Sequence, residues 1–393
     1  MIRHEEIRDL VVEWDIREDV IEKDYAIGWL LWGLGSESAL RDSWVFKGGT
    51  CLKKSYLETY RFSEDLDFTV IKDGPISPEQ VEPLLTSVLE RVTEESGINF
   101  LIRPPVLRSR PAPLSTQGRV YYTGPRNTRT PGSIKLDLLG TEIVARPGVS
   151  RSISHPFSDT LPTPGIVLCY SLEELFAEKI RAFGERCRPR DLYDIIFLFR
   201  RGDFRNNANI IRTVLIDKCT TKGVPVPTYT IISTSPARQE LEAAWANMLA
   251  HQLPELPPFA AYWDELPEFF AWLEGTSIPE TLPSLKVGRT PVSTWAPPPT
   301  VGRWDVGIPL ESIRFAAANR LCVELGYNGI IRLIEPYAFR QSKVGGILLY
   351  AIRTDNKEPR SYRVDRIESI KVTQRSFTPT YTIEISERGP GQG

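Results

Sequence analysis

The sequence predicts an α+β protein: a mixed sheet carrying a helical lobe, followed by a small C-terminal β-barrel. Three observations lead there. The first 200 residues alternate helical patterns with short strands, helices come to dominate from 171 to 274, and closely spaced strand patterns fill residues 306–385.

Taken in order, residues 5–34 read as a helix, with Glu22, Lys23 and Asp24 leading into the apolar run Tyr25 to Leu34. "WVFKGG" is a strand ending in a glycine turn, "DLDFTVI" is a second strand, and Ser77-Pro78 opens a helix over 78–95. "RVYYTG" and "SIKLDLLG" are further strands, the latter setting Ile134, Leu136 and Leu138 against Lys135 and Asp137. Helices follow at 171–184, 190–200, 206–217, 237–251 and 266–274. Residues 276–305 are rich in proline, lack an amphipathic period and read as an extended linker. Beyond them, "GIIRLIEPYAF", "GGILLYAIRT", "RSYRVDRIESIKVT" and "TYTIEIS" are strands separated by turn signals at 343–346 and 355–357. The expected organisation is a first domain at 1–275, a linker at 276–305, a β domain at 306–385 and a tail at 386–393.

The totals exclude several classes. With 41% hydrophobic and 25% charged residues, the composition is that of an ordinary soluble chain. A net charge of −2 gives no global sign of nucleic-acid binding, so any basic surface must be local. The charge is split: residues 306–385 hold 12 Lys/Arg against 8 Asp/Glu, which leaves −6 on the rest. Cys51, Cys169, Cys187, Cys219 and Cys322 are scattered and odd in number, reading as reduced thiols rather than a disulfide frame. No apolar run approaches the roughly 20 residues of a membrane span, and the N-terminus shows no secretory pattern. A cytoplasmic protein with no membrane partner is expected.

Four features of the first domain carry chemistry. In "RFSEDLDFTV" (61–70), Asp65 and Asp67 project from one strand face while Leu66, Phe68 and Val70 point the other way. Either that face is simply wet, or a doubly positive ion sits there. Upstream, "KGGTCLKK" (47–54) leaves a strand through Gly48 and Gly49, where backbone amides can approach a phosphate and Thr50 adds a hydroxyl. A phosphate cradle beside two convergent carboxylates is what Mg²⁺–nucleotide chemistry needs. Asp137 offers a third carboxylate, as a further metal ligand or a base. In "SLEELFAEKIRAF" (171–183), Lys179 falls inside the apolar stripe of Leu172, Leu175, Phe176, Ile180 and Phe183. A core-facing lysine is costly unless it meets an anion or snorkels to water. In "RPRDLYDIIFLF", Arg190, Asp191 and Asp194 precede or enter an apolar run; one aspartate suits helix capping, the other and Arg190 the site.

Six ordered motifs, "IEKDYAIGWLL", "FKGGTCLKKSY", "RFSEDLDF", "IKLDLLG", "AEKIRA" and "RDLYDI", resemble the AbiEii/AbiGii-type toxin nucleotidyltransferases of the DNA-polymerase-β-like superfamily. The resemblance covers roughly residues 5–275. It implies a nucleotidyltransferase-like mixed sheet, Mg²⁺ as cofactor on Asp65 and Asp67 with Asp137 beside them, and an NTP as substrate. It implies phosphate contacts from Gly48, Gly49, Thr50 and Ser63, with Lys179 and Asp191 completing the catalytic set; Lys53, Arg190 and Asp194 are further expected nucleotide contacts. The superfamily's Gly-Ser is here Gly49-Thr50, which keeps the hydroxyl. The family's toxins belong to type IV toxin–antitoxin and phage-defence systems, and some add nucleotides to tRNA 3′ ends. RNA, with tRNA foremost, is therefore the expected acceptor and a cognate antitoxin the expected protein partner.

The C-terminal strands resemble the WYL domain, a small Sm/SH3-like barrel that senses nucleic-acid or nucleotide ligands. The residues carrying this are Gly329, Arg332, Glu335-Pro336-Tyr337, Tyr350, Arg353 and "YRVDRI" (362–367), with Leu348-Leu349-Tyr350 near the place of the eponymous tripeptide. Arg332, Tyr337, Arg353, Arg363 and Arg366 are the expected contacts to an oligonucleotide. The leading function is Mg²⁺-dependent transfer of NMP from an NTP to RNA by a toxin or defence effector. The alternative is a nucleic-acid- or nucleotide-sensing regulator whose transferase fold is weakly active.

Overall fold

The computed structural model describes residues 1–57, 59–110, 114–234, 237–287, 310–341 and 347–385. Its first sheet has seven strands: β1 Trp44–Lys47, β2 Asp65–Val70, β3 Val106–Arg110, β4 Ser115–Tyr122, β5 Gly132–Leu139, β6 Val149–Ser152 and β7 Ile166–Cys169. They lie in the order β3-β4-β5-β2-β1-β7-β6. Pairs β2/β5 and β1/β7 are parallel and the rest antiparallel, so the sheet is mixed, as the sequence predicts.

One face of this sheet is apolar by alternation. Leu66 and Phe68 of β2 and Ile134, Leu136 and Leu138 of β5 are buried, beneath helices Glu18–Ser36 and Pro78–Ser96. Ser77 caps the second of these helices in a full capping box with Gln80. The single helix expected over 5–34 is two, His4–Trp14 and Glu18–Ser36. The break is Asp15, which adopts φ 51° and closes the first helix on the Val11 carbonyl. Aspartate tolerates that left-handed conformation, so the apolar pattern runs on while the backbone turns. Helix Leu172–Arg186 likewise ends at Cys187 (φ 41°), and Pro189 opens the next helix, Pro189–Phe199, rather than closing the previous one.

The second sheet comprises β8 Leu321–Tyr327, β9 Ile330–Gln341, β10 Ile347–Arg353, β11 Pro359–Arg363 and β12 Ile367–Ser376. All neighbours are antiparallel, in the order β11-β10-β9-β8-β12. The expected barrel does not close: this is an open sheet with β11 and β12 as its edges. Helix Leu310–Ala318 lies across β8, β9 and β12 and covers the apolar face that closure would otherwise bury.

The described start of the proline-rich stretch is not free of contacts. Ser284 bridges to Thr382, and Leu285 is buried with Cys322, Tyr337 and Tyr350. Residues 288–305 of the expected linker, the turn at 343–346 and the tail at 386–393 lie outside the described residues. Among the described residues, no helix is long and apolar enough to cross a membrane.

Candidate active site

The site is built by the strand register. β1 runs antiparallel to β2 and sets Lys47 opposite Asp67; β2 runs parallel to β5 and sets Asp67 opposite Asp137 and Asp65 opposite Lys135. Directly opposed residues share a sheet face. Asp65, Asp67 and Asp137 therefore gather on the polar face, although Asp137 is far from the other two in sequence. Burial, with the negative charges of Asp137 and Asp65, pushes the Asp67 carboxyl up to about 6 against the pull of Lys47. One oxygen of Asp137 accepts from the Lys135 ammonium, whereas its buried Oδ1 has no partner.

At the end of β1 the chain turns at Gly48, with φ +82°. A Cβ there would sit 2.5 Å from Asp67 Oδ2, so only glycine lets the backbone pass this close to the carboxylate. A Cβ on Gly49 would lie 2.9 Å from Ser63 Oγ and 2.8 Å from an Arg61 guanidinium nitrogen. The turn leads into a short helix, Gly48–Cys51, and a π-helical turn, Leu52–Tyr56.

The donor set fits a hard divalent cation. Three carboxylates face one way, one keeps a buried oxygen without a partner, and burial with the two neighbouring acids raises the pKa of another. Among the described residues, no three His, Cys, Asp or Glu side chains form a ready-made cage. Mg²⁺ in nucleotide enzymes is characteristically held by one or two carboxylates together with substrate phosphates and water.

A family model described as the nucleotidyl transferase AbiEii toxin of type IV toxin–antitoxin systems matches residues 29–274. The chain belongs to this family. It is thus a nucleotidyltransferase of a toxin–antitoxin family. No curated protein matches the chain. The AbiEii match covers none of the second sheet, whose likeness to WYL domains rests on its sequence motifs alone.

Within this AbiEii nucleotidyltransferase, the remaining expected residues divide into those at the carboxylate face and those tied up behind it. Thr50 is buried; its hydroxyl donates to the Asp65 carbonyl and lies 3.0 Å from Ser63 Oγ, so it braces the turn against β2. Lys53 places its ammonium over the Phe62 ring, 4.7 Å from the centroid. Lys179 does meet an anion, but the anion is Asp194, at 2.7 Å. Asp194 is fully buried and also receives Arg61 through both oxygens, at 2.7 and 2.8 Å, and the Tyr60 hydroxyl. Burial alone would raise its pKa; Arg61 and Lys179 outweigh it and hold the carboxyl well below the usual range. With both oxygens taken, Asp194 is an anchor rather than an open nucleotide contact. Asp191, in the first turn of its helix, is buried beneath a bidentate Arg186 at 2.7 and 2.8 Å. Arg190 donates to the Met248 carbonyl at 3.3 Å.

Sequence reasoning missed Lys47. Its buried ammonium lies between Glu142 and Glu178, 3.2 Å from the latter, on the strand position facing Asp67. Burial disfavours that charge, yet Glu178 and Glu142 hold its pKa above the usual lysine value. The available signal was its place immediately before the glycine turn. Arg61, four residues before Asp65, was legible only as part of a motif. The S-x-x-E spacing of Ser171 and Glu174 does not make a full capping box: Ser171 caps, while the Glu174 carboxylate accepts the Ala145 and Arg146 amides at 2.8 and 2.9 Å.

The second sheet presents its expected ligand residues differently. Tyr337, Tyr350 and Tyr362 are buried, which removes them as a stacking surface, because alternation turns them to the core. Arg353 pairs with Asp355, Arg363 with Asp365 at 2.6 Å, and Arg332 donates to the Tyr327 carbonyl at 2.6 Å. Arg366 is exposed.

Proposed function

We propose that the protein is a Mg²⁺-dependent toxin that transfers NMP from an NTP to the 3′ end of an RNA, with tRNA the foremost acceptor, under the control of a cognate antitoxin. The observation that carries this reading is the convergence of Asp65, Asp67 and Asp137 against the bare backbone of Gly48, with Asp137 Oδ1 left unpartnered.

Asp65, Asp67 and Asp137 would hold the metal. Magnesium, when bound, supplies Lewis-acid activation of the acceptor hydroxyl and neutralises the leaving pyrophosphate. The chain does the rest by placement. Gly48 and Gly49, without side chains, let Asp67 and Ser63 close on the turn, so the backbone that would meet the triphosphate lies beside the carboxylates. Lys47 fixes the strand position and charge beside Asp67. With its pKa near 6, Asp67 presents a carboxylate from about neutral pH upward. Asp137 Oδ1 can take the proton of the acceptor hydroxyl. The acceptor hydroxyl oxygen, having given its proton to Asp137, then bonds to the α-phosphorus as the bond to pyrophosphate breaks.

The test is incubation of the full chain with total RNA and each labelled NTP, with Mg²⁺ or with EDTA. The wild type is expected to label RNA only with the metal, and Asp65→Ala or Asp67→Ala to lose transfer by about two to three orders of magnitude while keeping its fold by circular dichroism. Near wild-type labelling by either variant would sink the assignment. Binding of NTP without transfer to any RNA would favour the sensing regulator instead.

A further inference from the structure

Between Gly97 and Leu136 the chain holds six arginines and one lysine and no aspartate or glutamate. Over its whole length bases and acids nearly balance, 48 against 50. This acid-free stretch forms β3, β4 and the start of β5, the edge of the first sheet that adjoins the carboxylates.

Register decides where those charges point. Asp137 opposes Gln117, which opposes Arg108; Lys135, the partner of Asp65, opposes Arg119; Ser115 opposes Arg110. Arg108, Arg110, Arg119 and Lys135 thus share the face of Asp65, Asp67 and Asp137, while Thr116, Val120 and Tyr122 turn into the core. With strands about 4.8 Å apart, the Arg108 backbone lies about 10 Å from that of Asp137. Arg108, Arg110 and Arg119 are exposed, and no carboxylate engages any of them among the described residues; Arg119 donates to Ser133 Oγ at 3.3 Å. Tyr121, on the same face, is half-buried and carries the Arg103 guanidinium 5.6 Å from its ring centroid.

Charged residues on an edge strand also guard against aggregation. That role needs only a charge or two of either sign. It does not account for a one-signed row that starts beside the reaction centre and continues across two strands.

We propose that Arg108, Arg110 and Arg119, with the Arg103–Tyr121 pair beside them, form the track for the sugar–phosphate backbone of a single-stranded RNA acceptor. The arginines bind phosphates, Tyr121 offers a face to a base, and the row leads the 3′ terminus toward Asp137. This rests on the nucleic-acid acceptor of the proposed function and adds where on the protein that acceptor lies.

The experiment uses the full chain and the triple variant Arg108→Gln, Arg110→Gln, Arg119→Gln, whose exposed side chains leave melting unchanged. Binding of a short fluorescent single-stranded oligoribonucleotide is followed by anisotropy over a salt series, beside steady-state transfer kinetics. Losing three phosphate contacts is expected to make the log K against log salt plot shallower by about 2. The KM for the oligonucleotide should rise about tenfold or more, with the KM for NTP unchanged. An unchanged slope and acceptor KM, a raised KM for NTP, or a wild type that fails to bind the oligonucleotide at low salt would each overturn the track. A wild type that binds through these arginines yet transfers nothing supports the track and defeats the transfer reading. Transfer with wild-type acceptor KM in the triple variant keeps the transfer reading and removes the track.

Discussion

Asp67 and Asp194 are carboxylates of one site region with opposite settings. Asp67 is buried facing two other acids and is pushed up; Asp194 is enclosed by Arg61 and Lys179 and held down. Removing Asp194 leaves two buried cations uncompensated, so Asp194→Ala should cost about 3–5 kcal/mol, read by urea unfolding. The pH dependence has a definite sign. A depressed folded-state pKa contributes stability that is fully present above the unfolded aspartate value of about 3.9. It is lost as pH falls through the folded value. The gap between wild type and variant should hold from neutrality to about pH 4 and close only in stronger acid. A variant within about 1 kcal/mol of wild type would show that the enclosure is slack. Sequence exposed Lys179 as an anomaly, since a lysine in an apolar stripe demands an anion. It could not say which anion, because Asp194 comes from the following helix and only the helix crossing brings them together.

At the scale of elements, the strand-to-helix turn at Gly48 sets the geometry of the site. A methyl group there meets Asp67 Oδ2 at 2.5 Å and also strains a φ of +82°. Gly48→Ala should reduce transfer about 10²-fold by moving the carboxylate and cost about 1–2 kcal/mol in backbone strain. Gly223, at φ +68° with nothing within 4 Å of an added Cβ, is the control: Gly223→Ala should show the strain and keep the activity. Equal transfer by both variants would refute the role given to the turn. Asp65 and Asp67 were readable from strand alternation, and the glycine turn from composition. Placing Asp137 beside Asp67 required the parallel β2/β5 pairing, a long-range choice that no local pattern encodes. The break at Asp15 was hidden for the converse reason: the apolar period continues through a backbone turn.

Across the whole molecule, the second sheet is held to the first part through buried polar contacts as well as apolar ones. Asn319 Oδ1 accepts the hydroxyls of Tyr193 at 2.9 Å and Tyr262 at 2.6 Å, and its amide donates to the Phe315 carbonyl at 2.8 Å. Arg320 reaches Glu265 at 2.7 Å, and Thr59 donates to Glu311 at 2.7 Å. Ile313, Phe315 and Leu321 belong to the same continuous core as the first sheet. A module swinging on a linker would not need this; a sheet that folds with the enzyme would. Asn319→Ala leaves two tyrosine hydroxyls buried without their acceptor, at about 1–3 kcal/mol each when unrelieved. The variant is expected to melt in one transition at lower temperature, because the sheet and the catalytic part share their core. Two separated transitions in calorimetry, with the first part melting as in the wild type, would instead mean that the second sheet folds alone and that Asn319 merely docks it.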